Sequence, residues 1–311
     1  MITLRKQEGV LGVAPRERPL NDYLRFGVAL IDKPCGPSSH ETSAFVRKIL
    51  SGFGVQKTGH SGTLDPDVSG VLPVMLNDAC KASGFLSKQR KKYVCITRFE
   101  KPIKAATLEK TFSRFRGKIY QTPPLASAVA KRLRIREVFS LDLLEVNERF
   151  ALFQCDVEAG FYVRALVRDL GEVVNDAAVM AELRRTEAAT FTEEQCVTLQ
   201  ELSDRVWLAK ENGKKKNEAP LRECVLPLEE AIHLKRVVAD DDALRPITTG
   251  AHLAIPGICS LDEGIAKGEA VQILSLKGEL VCFADALLSS DEIKGRRNGL
   301  AFDVSRVIHA F

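Results

Sequence analysis

The chain has 311 residues, 45% of them hydrophobic, with a formal net charge of +4 and a sequence pI near 8.6. That length exceeds what one core fills comfortably, so two domains are expected. No apolar run approaches the roughly 18 residues of a membrane span, and the charged opening over residues 1–18 argues against a secretory signal. Eight cysteines are scattered without a C-x-x-C pair, which points away from a zinc site or a disulfide framework and toward a reducing, intracellular compartment. The net charge alone does not mark a nucleic-acid binder, but the cations cluster. Runs occur at Lys88-Gln89-Arg90-Lys91-Lys92, Lys131-Arg132-Leu133-Arg134-Ile135-Arg136, Arg184-Arg185, Lys214-Lys215-Lys216 and Arg296-Arg297. Each alone reads as solvated surface, whereas several flanked by Tyr93, Phe139 and Tyr162 read as a phosphate-tracking groove with stacking groups.

In chain order, residues 38–50 predict a helix: Ser38 and Glu41 have capping-box spacing, Phe45, Val46, Ile49 and Leu50 recur at helical intervals, and Gly52 stops it. Residues 57–69 read as a Gly-rich loop leading into a buried strand over 71–76, and a second strand follows over 93–99. Leu108, Phe112 and Phe115 give a short amphipathic helix ended by Gly117. Strands over 141–146 and 150–158 flank a turn at Asn147-Glu148. Gly160 then opens a helix to about residue 174 that buries Val163, Leu166, Leu170 and Val174 and sends Arg164 elsewhere. A further helix over 199–208 runs out into residues 210–220, where apolar residues vanish and a loop or linker is expected. From residue 226 the texture changes to short apolar segments between glycines, which predicts a small β-rich domain.

The segment with most chemical content is Gly59-His60-Ser61-Gly62-Thr63-Leu64-Asp65-Pro66, followed by the apolar run from Val71 to Leu76. Two glycines let this backbone turn tightly, and Asp65 is pinned between Leu64 and a proline ring. A carboxylate so held suits covalent or acid-base chemistry, or simply caps a turn. The wording GHSGTLDPDVSGVLPV resembles the active-site motif of the family of pseudouridine synthases that includes the tRNA T-loop and dyskerin-type enzymes. In that family the Asp is the nucleophile, so the resemblance assigns that role to Asp65.

Five further segments resemble the family's motifs in the family's order, covering nearly all of residues 19–200. Ile31-Asp32-Lys33-Pro34 resembles the motif supporting the active-site loop, and Lys33 is also carried as an RNA-contact candidate. Lys91-Lys92-Tyr93 resembles the motif whose Tyr stacks on the target base near its C5; as a bare strand tyrosine, Tyr93 would be core. The Arg of Gly160-Phe161-Tyr162-Val163-Arg164 corresponds to the one that pairs with the catalytic Asp across the cleft. The stretch from Gln121 to Arg134 resembles a segment near bound RNA, and Leu183-Arg184-Arg185-Thr186 one at the cleft edge. His60 is the group expected to fill space vacated by the displaced nucleotide, or else an ordinary loop histidine. Lys91, Lys131, Arg132, Arg134, Arg184 and Arg185 complete the expected RNA contacts. Phe161 and Ala130 depart from the family pattern, which usually has Thr and Lys there.

The tail from Gly250 to Gly257, with Gly268 to Leu274 and Lys277-Gly278-Glu279-Leu280, resembles the PUA domain of the family's archaeal and eukaryotic branch. The absence of a long lysine-rich tail before Phe311 points to the archaeal form. The resemblance therefore implies an α+β protein: an N-terminal arm over 1–24 packing on the PUA domain, a catalytic domain over 25–232 with a central mixed or antiparallel sheet, and a PUA β-barrel over 233–311. It implies isomerisation of uridine to pseudouridine in rRNA directed by H/ACA guide RNA, in the tRNA T-loop, or both, with no metal or cofactor. Partners would be guide RNA, rRNA, tRNA and the small proteins of the H/ACA particle, with no membrane, in the cytoplasm for an archaeal chain and the nucleolus for a eukaryotic one. The alternative class is a catalytically idle RNA scaffold of the same particle.

Overall fold

The computed structural model describes residues 1–122, 132–211 and 217–309. Two sheets organise it. The larger is mixed, with strands in the order Val225–Pro227, Gly27–Lys33, Val68–Leu76, Ala178–Ala188, Lys91–Phe99, Phe150–Val157, Arg134–Asn147 and Gly117–Gln121. Only the junction of Val68–Leu76 with Ala178–Ala188 is parallel on this path. The second sheet has seven strands, and its first is Ile2–Thr3, paired antiparallel to Ile258–Leu261.

Strand Ala178–Ala188 joins the two halves of the larger sheet, and its sequence hides it. Residues 179–187 carry four charges and no sustained alternation, because one face is open to solvent and the pairing slips twice against Lys91–Phe99. Through it Gly70 on one side and Tyr93 on the other both register with Arg185. Gly70 sits at φ +105°, and a Cβ there would lie 2.1 Å from the Arg185 carbonyl oxygen, so only glycine allows this approach.

The helix Ser39–Leu50 starts where the capping box predicts: Glu41 N–H donates to Ser38 Oγ and Ser38 N–H donates to Glu41. Of the four apolar residues at helical spacing, Val46 and Leu50 are buried as expected and Ile49 is half-buried against the same core, but Phe45 faces outward. Phe45 is 47% exposed, while Ser39, Thr42, Ser43, Val46 and Leu50 turn inward, because the helix lays small hydroxyl residues against the neighbouring loop. The chain leaves this helix through a 3₁₀ turn and reverses at Gly54, φ +79°, two residues later than the expected stop at Gly52. His60 likewise lies on a short strand, Thr58–His60, rather than in a loop.

After the helix Leu199–Glu211, residues Val225–Pro227 return to the larger sheet by pairing with Gly27–Lys33, so the change of texture from residue 226 precedes the second sheet. One apolar cluster spans both sheets, joining Phe26, Val28 and Leu30 to Leu280, Phe283 and Ile308. The N-terminal arm crosses the same boundary: buried Arg18 donates to Glu229 at 2.8 Å and lies 3.5 Å from buried Glu279. Gly70→Ala is expected to destabilise the protein by about 3 kcal/mol or more through strain and overpacking, read as a fall in the urea midpoint at unchanged slope.

Candidate active site

Asp65 sits in a turn whose other corners are fixed from below. Its carbonyl accepts from Val68 N–H at 3.1 Å, with Pro66 at the turn's second position. Fully buried Lys33 donates its ammonium to the carbonyls of Pro34 at 2.9 Å, Pro66 at 3.3 Å and Val68 at 2.7 Å, and Gly36 N–H reaches Pro66 at 2.8 Å. Burial pushes the Lys33 ammonium below the usual lysine range. From the other side the Ser39 hydroxyl accepts from Leu64 N–H at 2.7 Å and donates to Leu64 C=O at 2.8 Å. The residue before Asp65 and the residue after it are thus both latched.

Arg164 arrives from the helix Val163–Val173, on its first turn, where the helix dipole opposes a cation. Two carboxylates offset this. Its Nη2 lies 3.0 Å from Asp65 Oδ2 and 3.3 Å from Asp67 Oδ2, so one guanidinium nitrogen is shared between two carboxylates. Gln121, 2% exposed, clamps the residue before that helix: its Nε2 donates to Tyr162 C=O and its Oε1 accepts from Tyr162 N–H, both at 3.0 Å. Tyr93, buried at 9% exposure, opens with Asp65 and Arg164 into one cavity of about 120 Å³. Thr63, Leu64, Val68, Phe161, Met180 and Leu183 add to its walls. Phe161, the expected departure, is therefore a wall of this cavity. The supporting roles of Ser39 and Gln121 were not legible: the capping box located Ser39 only at a helix start, and Gln121 stood only at the head of the segment resembling one near bound RNA.

The expected RNA contacts divide sharply. Lys33, as above, has its ammonium enclosed by carbonyls and cannot meet a phosphate. Lys91 is 6% exposed and donates to the carbonyls of Ser87 at 2.7 Å and Gln89 at 2.5 Å, and burial, with Arg185 nearby, pushes its ammonium down to about 8. Arg185 is 1% exposed, with Nε on the Val71 carbonyl at 2.8 Å. These three are corrected from RNA contacts to internal supports. Arg184 is held by both oxygens of Asp32 at 3.0 Å and by Glu193 at 2.7 Å. In the same basic run as Lys91, Arg90 pairs with Asp156 and lies 3.6 Å over the Phe139 ring, and Lys92 pairs with Glu187. Arg132 is exposed and Arg134 half-buried at the start of its strand, while Lys131 and Ala130 lie outside the described residues. His60 is half-buried with Nδ1 enclosed and unpartnered among the described residues; burial first, then His40 and Arg185, lowers its pKa and favours the neutral ring.

Two outcomes follow from the latches. Ser39→Ala leaves the Leu64 N–H and C=O without this partner, at a cost of about 1–3 kcal/mol. Turnover at saturating RNA should fall more than stability does, and a variant with wild-type turnover would remove Ser39 from the site's support. For Lys91 the folded value of about 8 lies below the ordinary 10.5. Between those values the unfolded chain binds a proton that the folded chain does not, so this group's contribution to stability rises with pH. The unfolding free energy of wild type relative to Lys91→Met should therefore increase by about 3 kcal/mol between roughly pH 7 and 10.5, measured by urea titration at each pH.

Four sequence profiles match the chain in succession: the DKCLD (NUC011) domain over residues 5–43, the TruB family pseudouridylate synthase N-terminal domain over 47–105, the tRNA pseudouridylate synthase B C-terminal domain over 164–233, and the PUA domain over 235–308. The probable tRNA pseudouridine synthase B of Archaeoglobus fulgidus is 44% identical over 96% of this chain and 90% of its own length. That of Pyrobaculum aerophilum is 42% identical over 96% and 88%. A chain solved in a Cbf5-Nop10-Gar1 complex superposes with TM-score 0.90 at 39% identity, covering 99% of this chain and 92% of that one. One solved in an H/ACA RNP bound to a substrate RNA containing 2'-deoxyuridine gives 0.89 at 37%, covering 98% and 92%. With its catalytic sheet, PUA domain and end-to-end likeness to these proteins, the chain belongs to the TruB family of pseudouridylate synthases, in its dyskerin-type, PUA-bearing branch.

Proposed function

We propose that the chain isomerises uridine to pseudouridine in RNA with Asp65 as nucleophile, Tyr93 as the platform for the target base and Arg164 as the partner that orients the Asp65 carboxylate. The observation that carries this reading is the convergence of these three side chains on one cavity from three separate elements. The reaction breaks the N-glycosidic bond, turns the uracil within the pocket and joins C5 to the ribose; the C5 hydrogen then leaves as a proton and N1, freed from the sugar, takes one up. Substrate and product share one composition, so no cosubstrate enters. A carboxylate on a latched turn, 56% exposed on its side chain, is open to a base taken out of its stack. Neutral His60 beside the loop suits packing against a displaced nucleotide, and exposed Arg132 suits a phosphate.

The setting we infer is guide-directed modification within an H/ACA particle, with small partner proteins of the Nop10 and Gar1 kind. The likeness at TM-score 0.90 to a chain assembled with those proteins supports it, as does the PUA domain match over 235–308. Direct action on the tRNA T-loop is the second reading, favoured by the name tRNA pseudouridine synthase B carried by the archaeal relatives. An idle scaffold has no use for this convergence. We further propose the division into arm 1–24, catalytic domain 25–232 and PUA domain 233–311; the strand pairing of Ile2–Thr3 with the second sheet favours it, while the DKCLD match over 5–43 runs across the first boundary. The compartment we infer is the cytoplasm of an archaeal cell. Among the described residues no helix is long and apolar enough to cross a membrane.

Asp65→Asn keeps shape and removes the attacking charge. Tritium release from [5-³H]uridine-labelled RNA should fall to background with RNA affinity near wild type, tested on a tRNA transcript and on a substrate paired with an H/ACA guide RNA plus the two small partner proteins. More than trace pseudouridine from this variant would sink the assignment of Asp65. Which of the two RNAs the wild type converts decides between the readings.

A further inference from the structure

The carboxylate two residues beyond Asp65 has no part in the reading above, yet it touches the same guanidinium nitrogen. Arg164 Nη2 lies 3.0 Å from Asp65 Oδ2, 3.3 Å from Asp67 Oδ2 and 3.5 Å from Asp67 Oδ1. The Asp67 side chain is 65% exposed. Its backbone is set by the Pro66 turn, and its carbonyl receives the Cys35 thiol at 3.4 Å. An exposed ion pair of this kind does little for folding. Its position matters for another reason: it divides one donor between two acceptors.

We propose that Asp67 is a positioning residue for pseudouridine formation, holding Arg164 back so that the guanidinium engages Asp65 through a single oxygen and leaves the other open to the substrate. A guanidinium facing one carboxylate closes on it with two parallel hydrogen bonds, which is the stronger arrangement. With both oxygens committed, Asp65 would be well oriented and poorly nucleophilic. Asp67 prevents that closure. It also leaves two carboxylates against one guanidinium at the cavity mouth, a net negative cluster facing a polyanion, so its presence weakens RNA binding while it assists chemistry. A residue that merely stiffened the turn would not move rate and affinity in opposite directions.

The inference rests on Asp65 being the nucleophile, and the experiment separates the two claims. Single-turnover tritium release at saturating RNA and filter-binding affinity are measured for the full chain, on whichever of the tRNA transcript or the guide-paired substrate the wild type converts. Asp67→Asn should lower the single-turnover rate roughly tenfold and tighten RNA binding severalfold at low salt, the affinity gain shrinking as salt is added. Asp67→Glu, which keeps the charge, should restore both toward wild type, and thermal stability should be unchanged in either. An Asp67→Asn protein with wild-type rate, or one in which rate and affinity fall together, overturns the inference. If Asp65→Asn is inactive in the same assay, that failure belongs to Asp67 alone; if Asp65→Asn turns over, the nucleophile assignment itself has failed.

Discussion

The Asp65–Arg164 ion pair joins two halves of the catalytic domain at the mouth of the cavity, beside the Asp67–Arg164 pair and above the packing of Leu64 and Val68 with Phe161 and Val163. One end stands on the loop before Val68–Leu76, the other on the first turn of the helix Val163–Val173, and the pair spans them at 3.0 Å. Both groups are substantially exposed, at 56% and 40%, so the pair draws little stabilisation from low dielectric and would not hold the geometry unaided. The geometry comes from beneath it. Lys33 and Ser39 fix the loop through main-chain carbonyls and amides, and Gln121 fixes the entry to the helix through the main chain of Tyr162. The ion pair is thus the product of three buried polar contacts, each specific to backbone rather than to another side chain.

That arrangement places demands on the sheet. The loop and Tyr93 face one cavity only because Val68–Leu76 and Lys91–Phe99 are both registered on Ala178–Ala188, with Arg185 opposite Gly70 and Tyr93. A one-residue slip on either side would turn Tyr93 away from the cavity. The buried Arg185 side chain reinforces the register by donating to the Val71 carbonyl across the parallel junction. The second sheet meets the first through the cluster of Phe26, Val28 and Leu30 with Leu280, Phe283 and Ile308, and the arm residue Arg18 bridges Glu229 and Glu279 at the same seam. Burial raises the Glu279 carboxyl, so this seam depends on a close cationic partner.

Much of this was legible because local chemistry and fold agree. The Ser38–Glu41 capping box, the tight turn at Gly62 and the apolar run from Val71 to Leu76 each act within a few residues, and sequence reports them directly. The motif resemblance carried Asp65, Tyr93 and Arg164 to one place, and the cavity holds all three. What sequence withheld is of another kind. Strand Ala178–Ala188 reads as polar because its outer face is open and its inner face includes a buried arginine. Phe45 reads as core by helical spacing, but the loop beneath that helix requires hydroxyls instead. Contacts such as Gln121 to Tyr162 link residues 41 apart, and no local pattern encodes them.

The cations show the same limit most clearly. The run Lys88 to Lys92 reads, together with the other basic runs and their flanking aromatics, as part of a phosphate-tracking groove, yet three of its members are committed to the protein: Arg90 to Asp156, Lys91 to the carbonyls of Ser87 and Gln89, and Lys92 to Glu187. Charge in sequence counts groups, whereas affinity for a polyanion depends on groups that are both exposed and unneutralised. Lys33, Lys91 and Arg185 lie beneath the active-site loop instead, where a desolvated cation is costly unless carbonyls surround it. The carbonyls around Lys33 and Arg185 belong to the loop and its neighbouring strands, so the hydrogen bonds that offset the cost of burying these charges also fix the backbone where the proposed reaction needs a fixed carboxylate. The chain therefore stiffens the site by turning Lys33, Lys91 and Arg185 inward, whereas Arg132 stays exposed.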